Sequence, residues 1–216
     1  MNTDLMFSSI NQQWATRWEC FNQIQDYVGY EFNLDPCAQT ETAKCSRFFT
    51  KEDDMFSQDW GIDMDQSAGG YYPSKVFMNP EYGNGQPRFV NHLISCILEG
   101  QVSDAVALIP SRSDTQLFHH TILPKAKEIV FYEGRLIFGS DEYWKFIWSQ
   151  PTMKLINGKD KENPLYNKIG KFQSAPFCSM FVLFDEESVC GLKNDLNKPT
   201  ISTIKAPKFK YLGSKL

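Results

Sequence analysis

An apolar run that suits a buried strand, Val76-Phe77-Met78, empties into the polar loop Asn79-Pro80-Glu81-Tyr82-Gly83. A helical pattern follows at once: Phe89, Val90, Leu93, Ile94, Ile97 and Leu98 recur at helical spacing over 87–99, and Gly100 stops them. Residues 104–109 then read as a second buried strand. A strand, a covering helix and a strand in this order form a crossover unit, which places the two strands parallel in one sheet. This constraint excludes all-helical and purely antiparallel folds and predicts an α/β chain with a mainly parallel sheet.

The rest of the chain extends the same pattern. Residues 16–28 read as an amphipathic helix with a Thr16-x-x-Glu19 capping box, Trp18, Phe21, Ile24 and Val28 on one face, and Gly29 as its stop. A short strand at 32–34 ends in Asp35-Pro36-Cys37-Ala38, and a second at 47–50 ends in Lys51-Glu52-Asp53-Asp54. The strand at 104–109 delivers Pro110-Ser111-Arg112-Ser113-Asp114. Further strands are expected at 128–132, with Gly134-Arg135-Leu136-Ile137-Phe138 close behind, and at 179–185. Between them, 139–175 reads as a long irregular insert rich in aromatic and basic residues. The organisation expected is one domain over 1–190 and a basic tail over 191–216.

Open parallel sheets bind ligands outside the carboxyl ends of their strands, which is where these polar loops fall. At the central loop, Asn79 offers an amide oxygen, Pro80 a backbone carbonyl and Tyr82 a flat π face. Those groups suit chemistry on an exocyclic amine, which needs acceptors for the amine hydrogens and a surface for the substrate plane. Asn-Pro and Tyr-Gly are also common turn formers. The carboxylates at 53 and 54 suit ribose hydroxyls or an adenine amino group, and equally suit helix caps.

Composition narrows the class. The net charge is −4, but 191–216 holds six lysines against one acid, a local basic excess that hints at nucleic acid. No apolar run approaches the ~18 residues of a membrane span. The first residues lack the basic and apolar regions of a secretory signal, so a cytoplasmic protein is expected. The six cysteines show no C-x-x-C spacing and the three histidines lie far from Cys37 and Cys45, so reduced thiols and no metal are expected.

Three motifs in one order, Phe32-x-Leu34-Asp35-Pro36-Cys37-Ala38, Asn79-Pro80-x-Tyr82-Gly83 and Pro110-x-Arg112-x-Asp114-Thr115-x-x-Phe118-His119, resemble the phage and prophage family of DNA N6-adenine methyltransferases. Gly134-Arg135-Leu136-x-Phe138 and Ala175-Pro176-Phe177 strengthen the resemblance, which covers about 14–184. It implies a Rossmann-like, S-adenosylmethionine-dependent methyltransferase fold whose mainly parallel sheet has an antiparallel edge. It further implies methyl transfer to N6 of a flipped-out DNA adenine, in the cytoplasm of a bacterial host if the chain is phage-encoded, with protection against restriction as the expected role.

On this resemblance Asn79, Pro80 and Tyr82 hold the base, Asp35, Pro36, Cys37 and Ala38 lie against the cofactor, and Asp53 or Asp54 contacts its adenosine. DNA is the expected partner, met by Arg112, Arg135, Lys205, Lys208 and Lys210, with 139–175 as target-recognition insert. Two residues depart from the family pattern: Glu81 stands where Pro is usual, and Arg17 where Pro commonly follows Trp-x-Thr. The competing readings are a catalytically impaired DNA-binding relative and a protein glutamine-amide methyltransferase.

Overall fold

Strands that are apolar on both faces must be covered on both faces. In the computed structural model β6 (Val102–Pro110) is buried continuously from Ala105 onward and β10 (Ser179–Asp185) from Ser179 through Phe184. The structure describes residues 14–63, 71–141, 143, 145, 151, 153–162, 175–191 and 198–208. These two strands form the middle of a seven-stranded sheet ordered β11-β7-β10-β6-β5-β1-β2, with β1 (Leu34–Asp35), β2 (Arg47–Phe48), β5 (Ser74–Met78), β7 (Glu128–Glu133) and β11 (Thr200–Lys205). Two separate two-stranded ribbons pair β3 (Ile62–Asp63) with β4 (Tyr71–Tyr72) and β8 (Met153–Ile156) with β9 (Lys159–Glu162).

The main sheet is parallel except around β10, which runs antiparallel to both β6 and β7. The antiparallel portion therefore lies inside the sheet, and the edges are the parallel strands β2 and β11. Alternation sorts the side chains onto two cores. Val76, Met78, Ala105, Ala107, Ile109, Met180 and Val182 meet Val90, Leu93, Ile94 and Ile97 of helix α2 (Gln86–Leu98). Phe77, Val106, Leu108, Phe181 and Leu183 meet Cys20, Phe21 and Ile24 of helix α1 (Trp18–Val28). Each such aliphatic or Phe side chain contributes about 1.5–3 kcal/mol by leaving water. One helix on each face encloses the sheet.

Four expectations change. The Thr16 hydroxyl does not cap α1: Arg17 occupies the N-cap with no side-chain cap bond, and Thr16 is drawn instead to Asn79. Trp18 is about half exposed and turns to the Lys44 ammonium, 4.5 Å from its ring, so the buried face of α1 is Cys20, Phe21 and Ile24. The basic segment 191–216 contains the edge strand β11, paired with β7 from Thr200 to Lys205. Finally, 139–175 contains the β8–β9 hairpin, whose turn residues Asn157 and Gly158 both have positive φ (53° and 73°), the geometry that Asn-Gly favours.

From Asp35 to Asn79 the described residues hold no α-helix, only a three-residue 3₁₀ turn, Met55–Ser57. Lys193, Lys210, Lys215, Trp144, Trp148, Tyr166, Lys168 and Lys171 lie outside the described residues.

Candidate active site

Because β1, β2, β5, β6, β7 and β11 run parallel, all six deliver their carboxyl ends to one edge of the sheet, and antiparallel β10 starts there. The strand order reverses between β1 and β5, so the crevice expected of such a sheet opens between Asp35 and Asn79. Reading outward from Asn79, one half of the edge carries Asp35 and then the 51–54 loop. The other half carries Arg112, Phe177, Arg135 and then Lys205 and Lys208.

Asn79 is half-buried and its carboxamide is fully engaged. Nδ2 donates to the Trp14 carbonyl and to the Thr16 hydroxyl, each at 3.0 Å, and Oδ1 accepts the Tyr82 hydroxyl at 2.7 Å. Pro80, next in the loop, is buried, and Gly83 turns the chain with φ 131°, a conformation that side chains with a Cβ resist.

Tyr82 presents more than one face to its neighbours. Its ring lies 6.1 Å from Trp14, 6.1 Å from Phe138 and 5.1 Å from Phe177, each edge-on. Trp14 also meets Phe138 at 6.0 Å and Phe177 at 5.6 Å, and Phe138 meets Phe177 at 6.4 Å, so the four rings form one mutual cluster around the Asn79 amide. Burial raises the Tyr82 phenol above its ordinary range, which keeps it a neutral donor. Sequence reading gave Tyr82 a part in the site, Thr16 only a helix cap and Trp14 none; the Trp-x-Thr signature preceding α1 was the available signal.

On the other side of the crevice Asp35 is 4% exposed. Its Oδ1 accepts the Cys37 N–H at 3.4 Å and its Oδ2 the Lys44 N–H at 3.0 Å. Burial pushes the carboxyl up to about 6, and these two N–H bonds pull it partly back. Backbone bonds from Phe49 N–H to the Asp35 carbonyl and from Ala38 N–H to the Phe49 carbonyl tie the 35–38 loop to the end of β2. Cys37 points its thiol at the Met55 sulfur, 3.4 Å away. Burial raises that thiol, as do, to a lesser degree, the charges of Asp35 and Glu81.

Asp53 and Asp54 both serve local turns. The Asp53 carboxylate accepts the Thr50 N–H and hydroxyl at 2.8 Å each, bonds that hold it below its ordinary range, and Asp54 accepts the Phe56 N–H at 3.4 Å. Both side chains are exposed. Arg112 is exposed on the turn after β6, where Thr115 donates its hydroxyl to the Arg112 carbonyl at 2.9 Å. Arg135 is exposed and donates to the Ala175 carbonyl at 3.3 Å. Lys205 and Lys208 are exposed, and Lys208 borders a shallow cleft shared with Arg17, Glu19 and Ile137. Among the described residues no His, Cys, Asp or Glu cluster is arranged to hold a metal.

Among the described residues, two buried polar atoms at this edge have no protein partner: Nε2 of Gln86 in the first turn of α2, and Oγ of Ser179 at the start of β10. An unsatisfied buried group costs about 1–3 kcal/mol, a cost that a bound ligand can offset. The mainly parallel sheet, its interior antiparallel strand and the Asn-Pro loop at the switch point place the protein in the Rossmann-like methyltransferase class. Residues 5–186 match the family of DNA N-6-adenine-methyltransferase (Dam), and the chain belongs to that family. A comparison with curated proteins gave no match. Among the described residues no helix is long and apolar enough to cross a membrane.

Proposed function

We propose that this protein is a site-specific DNA adenine-N6 methyltransferase that uses S-adenosylmethionine and acts on an adenine swung out of the duplex. The observation that carries the reading is the fixed Asn79 carboxamide, with its nitrogen turned toward Trp14 and Thr16 and its oxygen toward the Tyr82 hydroxyl. Adenine N6 is a weak nucleophile because its lone pair is delocalised into the ring. Accepting its two hydrogens at Asn79 Oδ1 and the Pro80 carbonyl favours a pyramidal nitrogen with a directed lone pair, so positioning supplies most of the catalysis. The target amine then replaces the Tyr82 hydroxyl at Oδ1, and Tyr82 offers its face to the flipped base, a contact worth about 1–3 kcal/mol.

The crevice residues fit the cofactor. The 35–38 loop is held at the switch point by its own hydrogen bonds, exposed carboxylates at 53 and 54 suit ribose hydroxyls, and Nε2 of Gln86, in the first turn of the helix after the Asn79 loop, offers a donor. When bound, S-adenosylmethionine supplies an electrophilic methyl group on a sulfonium. Arg112, Arg135, Lys205, Lys208 and Lys210 are assigned to phosphates, and 139–175 to the choice of sequence.

Glu81 in place of the family's usual Pro favours a second reading, an impaired relative that binds DNA without modifying it. Methyl transfer from tritium-labelled cofactor to DNA, to protein or to neither separates the proposed activity from this relative and from a glutamine-amide methyltransferase. Label in adenine N6 is expected. Label in protein, or in nothing, overturns the reading.

A further inference from the structure

At Asn79 two acceptors are held by one side-chain nitrogen. We propose that the Trp14 carbonyl and the Thr16 hydroxyl form a brace that fixes which way the Asn79 carboxamide faces, making Thr16 a positioning residue for transfer. This rests on the adenine-methyltransferase reading.

A side-chain amide has two ends of similar shape and opposite hydrogen-bonding character, and a half-turn about its last bond exchanges them. For an acceptor role the oxygen must face the substrate. The Trp14 carbonyl can only accept, so at 3.0 Å it admits the nitrogen and repels the oxygen. The Thr16 oxygen takes the second amide hydrogen, also at 3.0 Å, and Thr16 is 6% exposed, so water competes poorly for that contact. With both hydrogens taken, Asn79 is left with Oδ1 toward Tyr82. The brace reaches back 65 and 63 residues to the segment just before α1. Thr16 stands one residue before the N-cap Arg17, whose side chain has no acceptor to cap α1. The Arg17 N-cap is secured otherwise, by Arg17 donating to the Gly139 carbonyl at 3.2 Å and pairing with Asp141 at 3.0 Å.

The test compares Thr16→Val, which keeps the shape and removes the acceptor, with Thr16→Ser, which keeps the acceptor and trims a methyl. Single-turnover methyl transfer, cofactor affinity and thermal midpoint are measured for each. Thr16→Val is expected to slow transfer about 10-fold, the low end of what groups orienting an active-site ligand contribute, with cofactor affinity unchanged. Thr16→Ser is expected to stay within about threefold of wild type by the same comparison.

A second readout does not depend on activity. The Asn79 side-chain NH₂ signals, assigned by their absence in Asn79→Asp, should exchange slowly with solvent in the wild type, and one should become fast in Thr16→Val. Equal rates in Val and wild type, equal losses in Ser and Val, a loss confined to cofactor affinity, or amide exchange unaffected by Thr16→Val would each overturn the brace. Slow exchange in a wild type that transfers no methyl to DNA would uphold the brace and overturn the function proposed for it.

Discussion

Along the carboxyl edge of the sheet, the acids of the half at β1 and β2 are held by near neighbours in sequence, whereas the Asn79 amide nitrogen and the Tyr82 ring are held by distant parts of the chain. Asp35 is bound by the N–H groups of Cys37 and Lys44, Asp53 by Thr50, and Asp54 by Phe56. Asn79 is bound by Trp14 and Thr16, and Tyr82 is packed by Trp14, Phe138 and Phe177. The first half forms from short loops at little closure cost; the second exists only once the sheet and α1 have assembled, since contacts between distant segments carry the larger loop entropy. On the proposed assignment the first is the cofactor half, expected to tolerate distant changes, and the second the base half, expected to register them.

The largest effect expected falls on the base half alone. Asn79→Ala removes the acceptor proposed for the target amine and should lower the transfer rate by about 10² to 10³, the range for a single such group, with cofactor binding retained. A variant that keeps wild-type rates would remove Asn79 from the chemistry. A variant that also loses the cofactor would show that the two halves are coupled.

The cofactor half should reveal itself in the pH dependence of stability. The Asp35 carboxyl titrates at about 6 in the fold against 3.8 for the free group, so between these values the folded chain binds the extra proton. Its stabilising contribution is complete below 3.8 and is lost as pH rises through 6. By linkage the loss is about 3 kcal/mol. Denaturant unfolding of wild type and Asp35→Asn from pH 4 to pH 7 checks it: the wild-type advantage should shrink by about that amount, and a constant difference would show an ordinary, solvated carboxyl.

How much could be read from the sequence follows the same division. The motifs of the cofactor half are contiguous, so Asp35-Pro36-Cys37-Ala38 and the acids at 53–54 declared themselves as strand ends. The apolar runs of β5, β6 and β10 likewise gave the α/β class, because burial on both faces writes itself into every position. Trp14, Phe138 and Phe177 were legible as members of short motifs, but nothing local in those motifs says that the three rings meet around Tyr82. The sheet order brings their segments together. Thr16 was legible as a helix cap, and the choice of Asn79 as its partner depends on a tertiary contact. The Asn157-Gly158 hairpin was in principle readable, being a local turn signal inside an otherwise aperiodic stretch.

Tyr82 divides its work between ring and hydroxyl, and two variants separate them. Tyr82→Ala should weaken productive DNA binding by about 10-fold or more, from a stacking contribution of about 1–3 kcal/mol. On the proposed reading Tyr82→Phe removes only a hydroxyl that the target amine would displace, so transfer should stay within about tenfold, a single neutral hydrogen bond being worth about 0.5–1.5 kcal/mol. Comparable losses in both would assign the hydroxyl a part in the reaction itself. On the outer part of the same half, Lys205→Ala with Lys208→Ala should flatten the salt dependence of DNA binding by about 0.9 in log-log slope for each phosphate left without its lysine. Point changes are the right instrument, because truncation at 191 would also strip β11 from the sheet. An unchanged slope would leave these lysines as solvated surface.

The smallest effect expected concerns Glu81, which belongs by sequence to the base loop and acts electrostatically on the cofactor half. Its carboxylate is exposed, yet its charge helps raise the Cys37 thiol, after burial and Asp35, so it stands near the 35–38 loop. A negative charge there attracts a cationic cofactor and repels a phosphate backbone. Both effects are weak, about 0.5 kcal/mol for unit charges some 8 Å apart in water. Glu81→Gln should therefore weaken cofactor binding about two- to threefold and slightly reduce the salt sensitivity of DNA binding, by the same Coulomb estimate. Glu81→Pro adds a fixed φ and restricts Pro80, whose carbonyl is the second acceptor proposed for the amine, so turnover should hold or rise. Methyl transfer and cofactor affinity measured for wild type and both variants decide between the readings. Activity in all three, with a small affinity loss on removal of the charge, supports Glu81 as a link between the halves. Activity that appears only in the Pro variant would make the chain a disabled relative, with a base half assembled around an acceptor that its own loop holds out of register.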